Sequence, residues 1–200
     1  KKKNTFTDFI DVAEWLASSG GGDPSRLVAE GRSAGGLLMG AVVNKAPDRF
    51  RAVLAGVPFV DALTTILDAS LPLTVGEWQE WGDPITDPAV FAAMRAYTPY
   101  ENVPEGVALP AVMATTSLND TRVEFVEPAK WVQRLREASW DQILPAIHRG
   151  IITSGKSAED KGKNLFQTAT LTASDIQNHS RYEGKSFGIG ASVAISGESM

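Results

Sequence analysis

The chain has 200 residues, 43% of them hydrophobic and 22% charged, with a formal net charge of −5. That length allows one good hydrophobic core and a second small unit, and the acidic balance leaves no basic footprint for nucleic acid and no polybasic membrane segment. There is no cysteine and there are only two histidines, His148 and His179, so disulfides and thiolate nucleophiles are excluded, a histidine-based metal cluster would need carboxylates to complete it, and no metal or cofactor is expected.

The three N-terminal lysines are followed by Asn4, Thr5, Thr7 and Asp8 rather than by the apolar core of a signal peptide, and no apolar run reaches membrane-spanning length. Phe6, Phe9, Ile10, Ala13 and Leu16 recur at helical spacing, with Thr5 and Asp8 placed like a capping box. Because the sequence opens directly in this amphipathic helix, the chain is expected to be truncated at its N-terminus. Gly20-Gly21-Gly22 closes the helix and Asp23-Pro24-Ser25 turns the chain. Leu27-Val28-Ala29 reads as a short buried parallel strand, Leu37 to Lys45 as a helix, Ala52 to Val57 as a second strand and Pro110 to Thr116 as a third. Between the last two lies a long region rich in proline and tryptophan, expected to be irregular. Glu127-Pro128 opens a further helix with Trp131, Val132, Leu135 and Ala138 on one face. Strands alternating with helices predict an α/β fold with a parallel sheet covered on both faces.

Composition changes near residue 140. All five tryptophans lie at or before Trp140, and the stretch from Ile151 is rich in Ser, Thr and Gly. Phe187, Ile189, Ala191, Val193 and Ile195 alternate with small residues as a strand does. Three segments are therefore expected: 1–140 as an α/β domain, 141–161 as a junction, and 162–200 as a short tail, β-rich or poorly ordered.

The chemistry is carried by Gly31-Arg32-Ser33-Ala34-Gly35, a G-x-S-x-G pattern between an apolar strand and an apolar helix. A serine hydroxyl is a weak nucleophile, so it must be presented where a base reaches it and where backbone N–H groups stabilise an oxyanion. A sharp strand-to-helix turn does both, with the Ala34 N–H opening the helix toward the developing charge. Ser33 is thus the candidate nucleophile and Ala34 the candidate oxyanion donor. An acid and then a histidine should follow in the chain. Asp120 lies just past the third strand, where loops carry catalytic groups; by position alone it is either that acid or an ordinary turn aspartate.

Several longer stretches resemble one family. Asn4 to Ile10, Gly31 to Gly36 with Leu38-Met39-Gly40, Val57 to Asp61, Thr64-Thr65 with Leu67-Asp68, Pro72-Leu73-Thr74, Glu80-Trp81-Gly82 and Glu127 to Trp131 are similar to the catalytic domain of the oligopeptidase B branch of the prolyl oligopeptidase family. The resemblance implies an α/β-hydrolase domain joined to a β-propeller that restricts access to short peptides, no nucleic-acid or membrane partner, cleavage after Arg or Lys, and a cytoplasmic location. It implies Ser33 as nucleophile, Asp120 as triad acid, and Glu77 as a group that binds the basic side chain of the substrate. A guanidinium out of water needs such a charged partner, although a solvated carboxylate is the plainer reading of Glu77. Gln79 stands where relatives can carry a second acid. No propeller is expected within 200 residues, and the upstream strands with the tyrosine that completes the family's oxyanion hole are expected to precede Lys1. The family's Gly-His-Gly segment is expected near Gly155 and is not there. His148 has the right chain order but different neighbours, which makes it the remaining candidate base; His179 is a poorer one. Hydrolysis of Arg or Lys substrates by this chain is therefore expected to be absent or very weak.

The stretch from Gly162 to Gly197, notably Asn164 to Gln167, Ser174 to Asn178 and Tyr182 to Gly188, resembles a repeat of secreted filamentous haemagglutinin-type adhesins. Such repeats are stable when stacked on neighbours. The resemblance implies a secreted location and, as the alternative function, a non-enzymatic adhesin-like role. Gly150 to Ser157 also fits G-x-x-x-x-G-K-S, in which Lys156 would reach phosphates, but the polar segment after it lacks the apolar helix that motif requires.

Overall fold

The three apolar runs become adjacent strands: β1 (Val28–Arg32), β2 (Ala52–Gly56) and β3 (Ala111–Ser117). The computed structural model describes residues 2–138 and, as backbone, 149–153, where a fourth strand, β4 (Arg149–Thr153), joins them. The order is β1-β2-β3-β4 and every neighbouring pair is parallel. Arg32 is aligned with Gly56, Gly56 with Thr115, and Ser117 with Thr153, so the carboxyl ends of all four strands form one rim. This is the parallel α/β architecture expected from the sequence.

Parallel neighbours need long crossovers. The helix α2 (Ala34–Lys45) connects β1 to β2. The segment between β2 and β3, expected to be irregular, instead holds three short helices, α3 (Ala62–Ile66), α4 (Thr74–Trp81) and α5 (Pro88–Arg95), and a 3-10 turn at Tyr100–Asn102. Their ends follow local rules. Asp87 accepts hydrogen bonds from the N–H groups of Ala89 (2.8 Å) and Val90 (3.4 Å), with Pro88 at the first helical position. Gly82, at φ +89°, stops α4. Helices this short present too few turns for periodicity to reveal them. The final helix, α6 (Val126–Ala138), buries Trp131, Val132 and Leu135 as expected.

The first helix, α1, runs Lys2–Ser18, so Thr5 lies inside it rather than at its cap. The Lys2 ammonium binds Glu80 Oε1 at 2.8 Å and sits 3.9 Å from the Trp81 ring centroid, contacts that favour helix one turn earlier than the capping pattern suggested. Phe6 and Ala13 are buried, whereas Val12 and Trp15 remain exposed.

Two apolar clusters hold the molecule together. The first places Met39, Val42 and Val43 of α2, Ala13 of α1 and Trp131 and Leu135 of α6 against Val53, Ala55, Val112 and Ala114 of the sheet. These strand positions share one face. On the other, Leu54, Met113 and Thr115 are half-buried, and Val28, Glu30 and Arg32 are exposed. Among the described residues the sheet is therefore covered on one face, not both: a continuous apolar run signals burial without saying which residues supply the second layer. The second cluster joins Phe6, Leu37, Ala41, Phe59, Leu63, Ile66, Trp81 and Met94, seating α3, α4 and α5 beside the amino end of α2.

Candidate active site

The turn from β1 into α2 is strained at Ser33, whose φ is +53° and ψ −118°. This conformation favours glycine and costs a serine roughly 1–3 kcal/mol. Four hydrogen bonds impose it. The Ser33 N–H continues the ladder to the Gly56 carbonyl at 3.0 Å, while the Ser33 carbonyl accepts from the N–H groups of Gly36 (2.8 Å), Leu37 (3.1 Å) and Phe59 (3.1 Å). The side chain makes no capping bond, and Ser33 is exposed on the rim. Replacing Ser33 with Gly is expected to raise stability by about 1 kcal/mol by relieving this strain, read as a rise of roughly 3 °C in Tm. An unchanged or lower Tm would show that the turn stores no strain.

The glycines around the serine do different work. A Cβ on Gly31 would lie 2.3 Å from the Gly35 carbonyl oxygen and 2.8 Å from Met39 Cγ, and one on Gly36 would lie 2.4 Å from Pro58 Cα. A Cβ on Gly35 would meet nothing within 4 Å. The second steric requirement is thus Gly36, just outside the G-x-S-x-G pattern. The N–H of Ala34 lies in the first turn of α2, on the exposed rim beside Ser33, where a helix N-terminus favours negative charge.

Asp120 follows β3 on the same rim. Its N–H bonds the Ser117 carbonyl at 3.1 Å, and its Oδ1 accepts from the N–H groups of Arg122 (2.9 Å) and Val123 (3.1 Å). So the turn-aspartate reading describes one oxygen. The other, Oδ2, is buried and has no partner among the described residues. A buried carboxylate oxygen without a donor is costly, and two N–H anchors leave it fixed in direction. The strands leading to Ser33 and Asp120 are separated only by β2, two strand spacings of about 4.8 Å each.

A cleft of about 270 Å³ opens beside Asp120, with Phe59, Ile66, Leu71, Thr74 and Glu77 also among its walls. Phe59 connects it to the elbow, since its N–H holds the Ser33 carbonyl. Glu77, on α4, is half-buried, and its Oε2 accepts from the Trp81 indole N–H at 3.0 Å. One carboxylate oxygen is thus anchored within its own helix. Gln79 is exposed on the same helix and is not part of the cleft wall.

His148 lies outside the described residues, as do His179, Lys156 and the stretch 162–200 likened to an adhesin repeat. β4 falls within the 141–161 stretch expected as a junction. It begins at Arg149, opposite Met113, and ends at Thr153, level with Ser117 on the rim. Gly150 to Thr153, the first half of the phosphate-loop pattern, is therefore strand paired to β3, with its peptide groups committed to a ladder rather than curled around a phosphate. Among the described residues no cluster of three or more His, Asp or Glu could hold a metal ion.

Sequence reasoning missed a buried polar group beneath the rim. Glu127, in the first turn of α6, is 1% exposed. Its Oε2 accepts from the Asp61 N–H at 2.9 Å and its Oε1 from the Thr65 hydroxyl at 2.6 Å. Asp61, also buried, pairs with the Lys130 ammonium and accepts from the Thr64 hydroxyl at 2.8 Å. Burial pushes the Glu127 carboxyl up to about 7, against the bonds from Thr65 and Asp61. Burial is the strongest single influence on Lys130 and opposes its charge, but the bond to Asp61 together with the charges of Asp61, Tyr100 and Glu127 outweighs it and holds the ammonium above its ordinary value. The available signal was a glutamate on the core side of an otherwise apolar helix face.

Residues 1–148 match the Prolyl oligopeptidase family. The chain belongs to that family. Protease 2 of Moraxella lacunata is 50% identical over 140 residues, which are 70% of this chain and 20% of that protein. Among solved structures, oligopeptidase B from Trypanosoma brucei is 53% identical, with a TM-score of 0.66 over 68% of this chain and 19% of its own. Oligopeptidase B from Leishmania major is 46% identical, with a TM-score of 0.69 over 78% of this chain and 21% of its own. The chain thus spans about a fifth of the length of these prolyl oligopeptidase relatives. The family and the α/β-hydrolase portion expected from the sequence are both observed.

Proposed function

We propose that this chain is the nucleophile-and-acid segment of a serine peptidase of the oligopeptidase B type, with Ser33 as nucleophile, Asp120 as triad acid and the Ala34 N–H as an oxyanion donor. The observation that carries the reading is the pairing of a strained, exposed serine on the rim with a buried carboxylate oxygen that has no partner among the described residues, at the end of the next strand but one on the same rim. In this mechanism an imidazole held by Asp120 Oδ2 takes the Ser33 hydroxyl proton, Oγ attacks the scissile carbonyl, the Ala34 N–H stabilises the oxyanion, and water releases the acyl group. Support for the covalent step comes from the Trypanosoma brucei oligopeptidase B, which was solved with covalently bound antipain.

For specificity, the cleft suits an extended basic side chain. Its apolar walls match an alkyl stem, and Glu77 offers a carboxylate to a terminal cation. Short peptides with Arg or Lys before the scissile bond are the substrate class this supports. His148 is the base proposed for this chain, and because its neighbours differ from the family's histidine segment, turnover should be slow.

Labelling with a fluorophosphonate, followed by peptide mapping, tests the assignment. Adduct is expected on Ser33 alone, and Ser33→Ala should reduce labelling to background. No adduct on Ser33 in the folded chain, or unchanged labelling of Ser33→Ala, would sink the reading of Ser33 as an activated nucleophile.

A further inference from the structure

Two loops present the rim groups, and one buried side chain touches both supports. Downstream of β2, Val57 adopts φ +39°, and its N–H bonds the Thr115 carbonyl at 2.6 Å. Pro58 lies against Gly36, and the Phe59 N–H holds the Ser33 carbonyl. This strut ends at Asp61, whose N–H is held by Glu127 and whose carboxylate is held by Lys130. Both partners sit on α6, the helix that begins directly after the Asp120 turn, with the Glu127 N–H bonded to the Glu124 carbonyl at 3.1 Å. The path from Ser33 to Asp120 thus runs through Phe59, Asp61 and Glu127 without leaving hydrogen-bonded or directly linked backbone.

We propose that Glu127 is a positioning residue: by joining the Asp61 N–H and the Thr65 hydroxyl to the first turn of α6, it fixes the strut behind Ser33 relative to the loop that carries Asp120. The consequence for reactivity rests on the reading of Ser33 as nucleophile; the brace itself does not. Charged or titratable groups around Glu127 are the Asp61 carboxylate on the strut and the Lys130 ammonium on α6, with the Tyr100 ring 4.7 Å from that ammonium. Either protonation state of Glu127 suits the geometry. An ionised carboxylate accepts both bonds, and a protonated one accepts from Asp61 while donating to Thr65, whose hydroxyl reorients. Its raised value means the folded chain keeps a proton that the unfolded chain has released, so stability falls as pH rises toward about 7 and levels off above it. Glu127→Gln imitates the protonated form, with its carbonyl toward Asp61 and its amide toward Thr65.

Backbone amide NMR and hydrogen exchange on the full chain test this. In the wild type the Asp61 amide shift should titrate with a midpoint near 7, and Glu127→Gln should abolish that titration while keeping exchange at Asp61 and Phe59 within about twofold. Glu127→Ala should speed exchange at both amides by tenfold or more, with Val53 and Ala114 in the central strands unchanged. If Glu127→Ala does not fold, Thr65→Val removes one of the two bonds and should give a smaller acceleration confined to the same two amides. Unchanged exchange at Phe59 in Glu127→Ala or Thr65→Val, or equal acceleration at every amide, would overturn the brace. Fluorophosphonate labelling separates the two ideas: slower labelling in Glu127→Ala with wild-type rates in Glu127→Gln supports the positioning role. Absence of labelling in the wild type counts against the peptidase reading and leaves the exchange result to decide the brace.

Discussion

Gly31→Ala should destabilise the fold by about 3 kcal/mol or more, at or above the upper end for overpacked positions. The new Cβ would lie 2.3 Å from the Gly35 carbonyl oxygen, a backbone atom with no rotamer to retreat to. Moving Gly35 would pull on the first turn of α2, whose N–H groups hold the Ser33 carbonyl. A fall of roughly 6–12 °C in Tm is expected for a chain of this size, or insoluble protein. Gly35→Ala is the control. Its Cβ enters open space on a helix, where alanine is favoured over glycine by about 0.8–1 kcal/mol, so its Tm should hold or rise. If both variants melt like the wild type, the close approach of β1 to α2 is not as described.

Glu77→Gln is expected to lower the preference for a basic side chain by tenfold or more. A hydrogen bond to a charged group contributes about 1.5–3 kcal/mol, and about 1.4 kcal/mol is a factor of ten. Glutamine keeps a carbonyl oxygen for the Trp81 indole, now 3.0 Å from Oε2, so the cleft should retain its shape while losing the one negative charge on its α4 wall. The measurement is the ratio of Ser33 labelling rates for two phosphonate probes, one with a guanidinium side chain and one with an isobutyl side chain. Because both rates come from one protein, the ratio does not depend on how active the chain is. An unaltered ratio would remove Glu77 from the substrate site and favour the solvated-carboxylate reading.

The positions legible in the sequence were those where one residue type answers to one physical demand. A serine among glycines between an apolar strand and an apolar helix marks an elbow because few other arrangements need that composition. Asp87-Pro88 and Trp81-Gly82 carry the residue types of helix boundaries, yet the segment was expected to be irregular, because the helices they bound have only eight residues each, too few to stand out from a proline-rich stretch. β4 was obscured differently. Its Ile151-Ile152-Thr153 core is a good strand run, but it sits inside a phosphate-loop pattern and a shift of composition, and strand pairing at long range leaves no local mark. Glu127 and Asp61 were invisible as a pair because the contact spans 66 positions in the chain. Each alone reads as a solvated acid, and only the tertiary fold shows that neither reaches water.

The helix α2 belongs to both apolar clusters, with Met39, Val42 and Val43 in one and Leu37 and Ala41 in the other. Heating cannot then dissolve one cluster and spare its neighbour, because the shared cylinder would have to be ordered on one side and molten on the other. Residues 2–138 should melt as a single cooperative unit, and the serine bend, rooted in the same cylinder, survives or is lost with the whole.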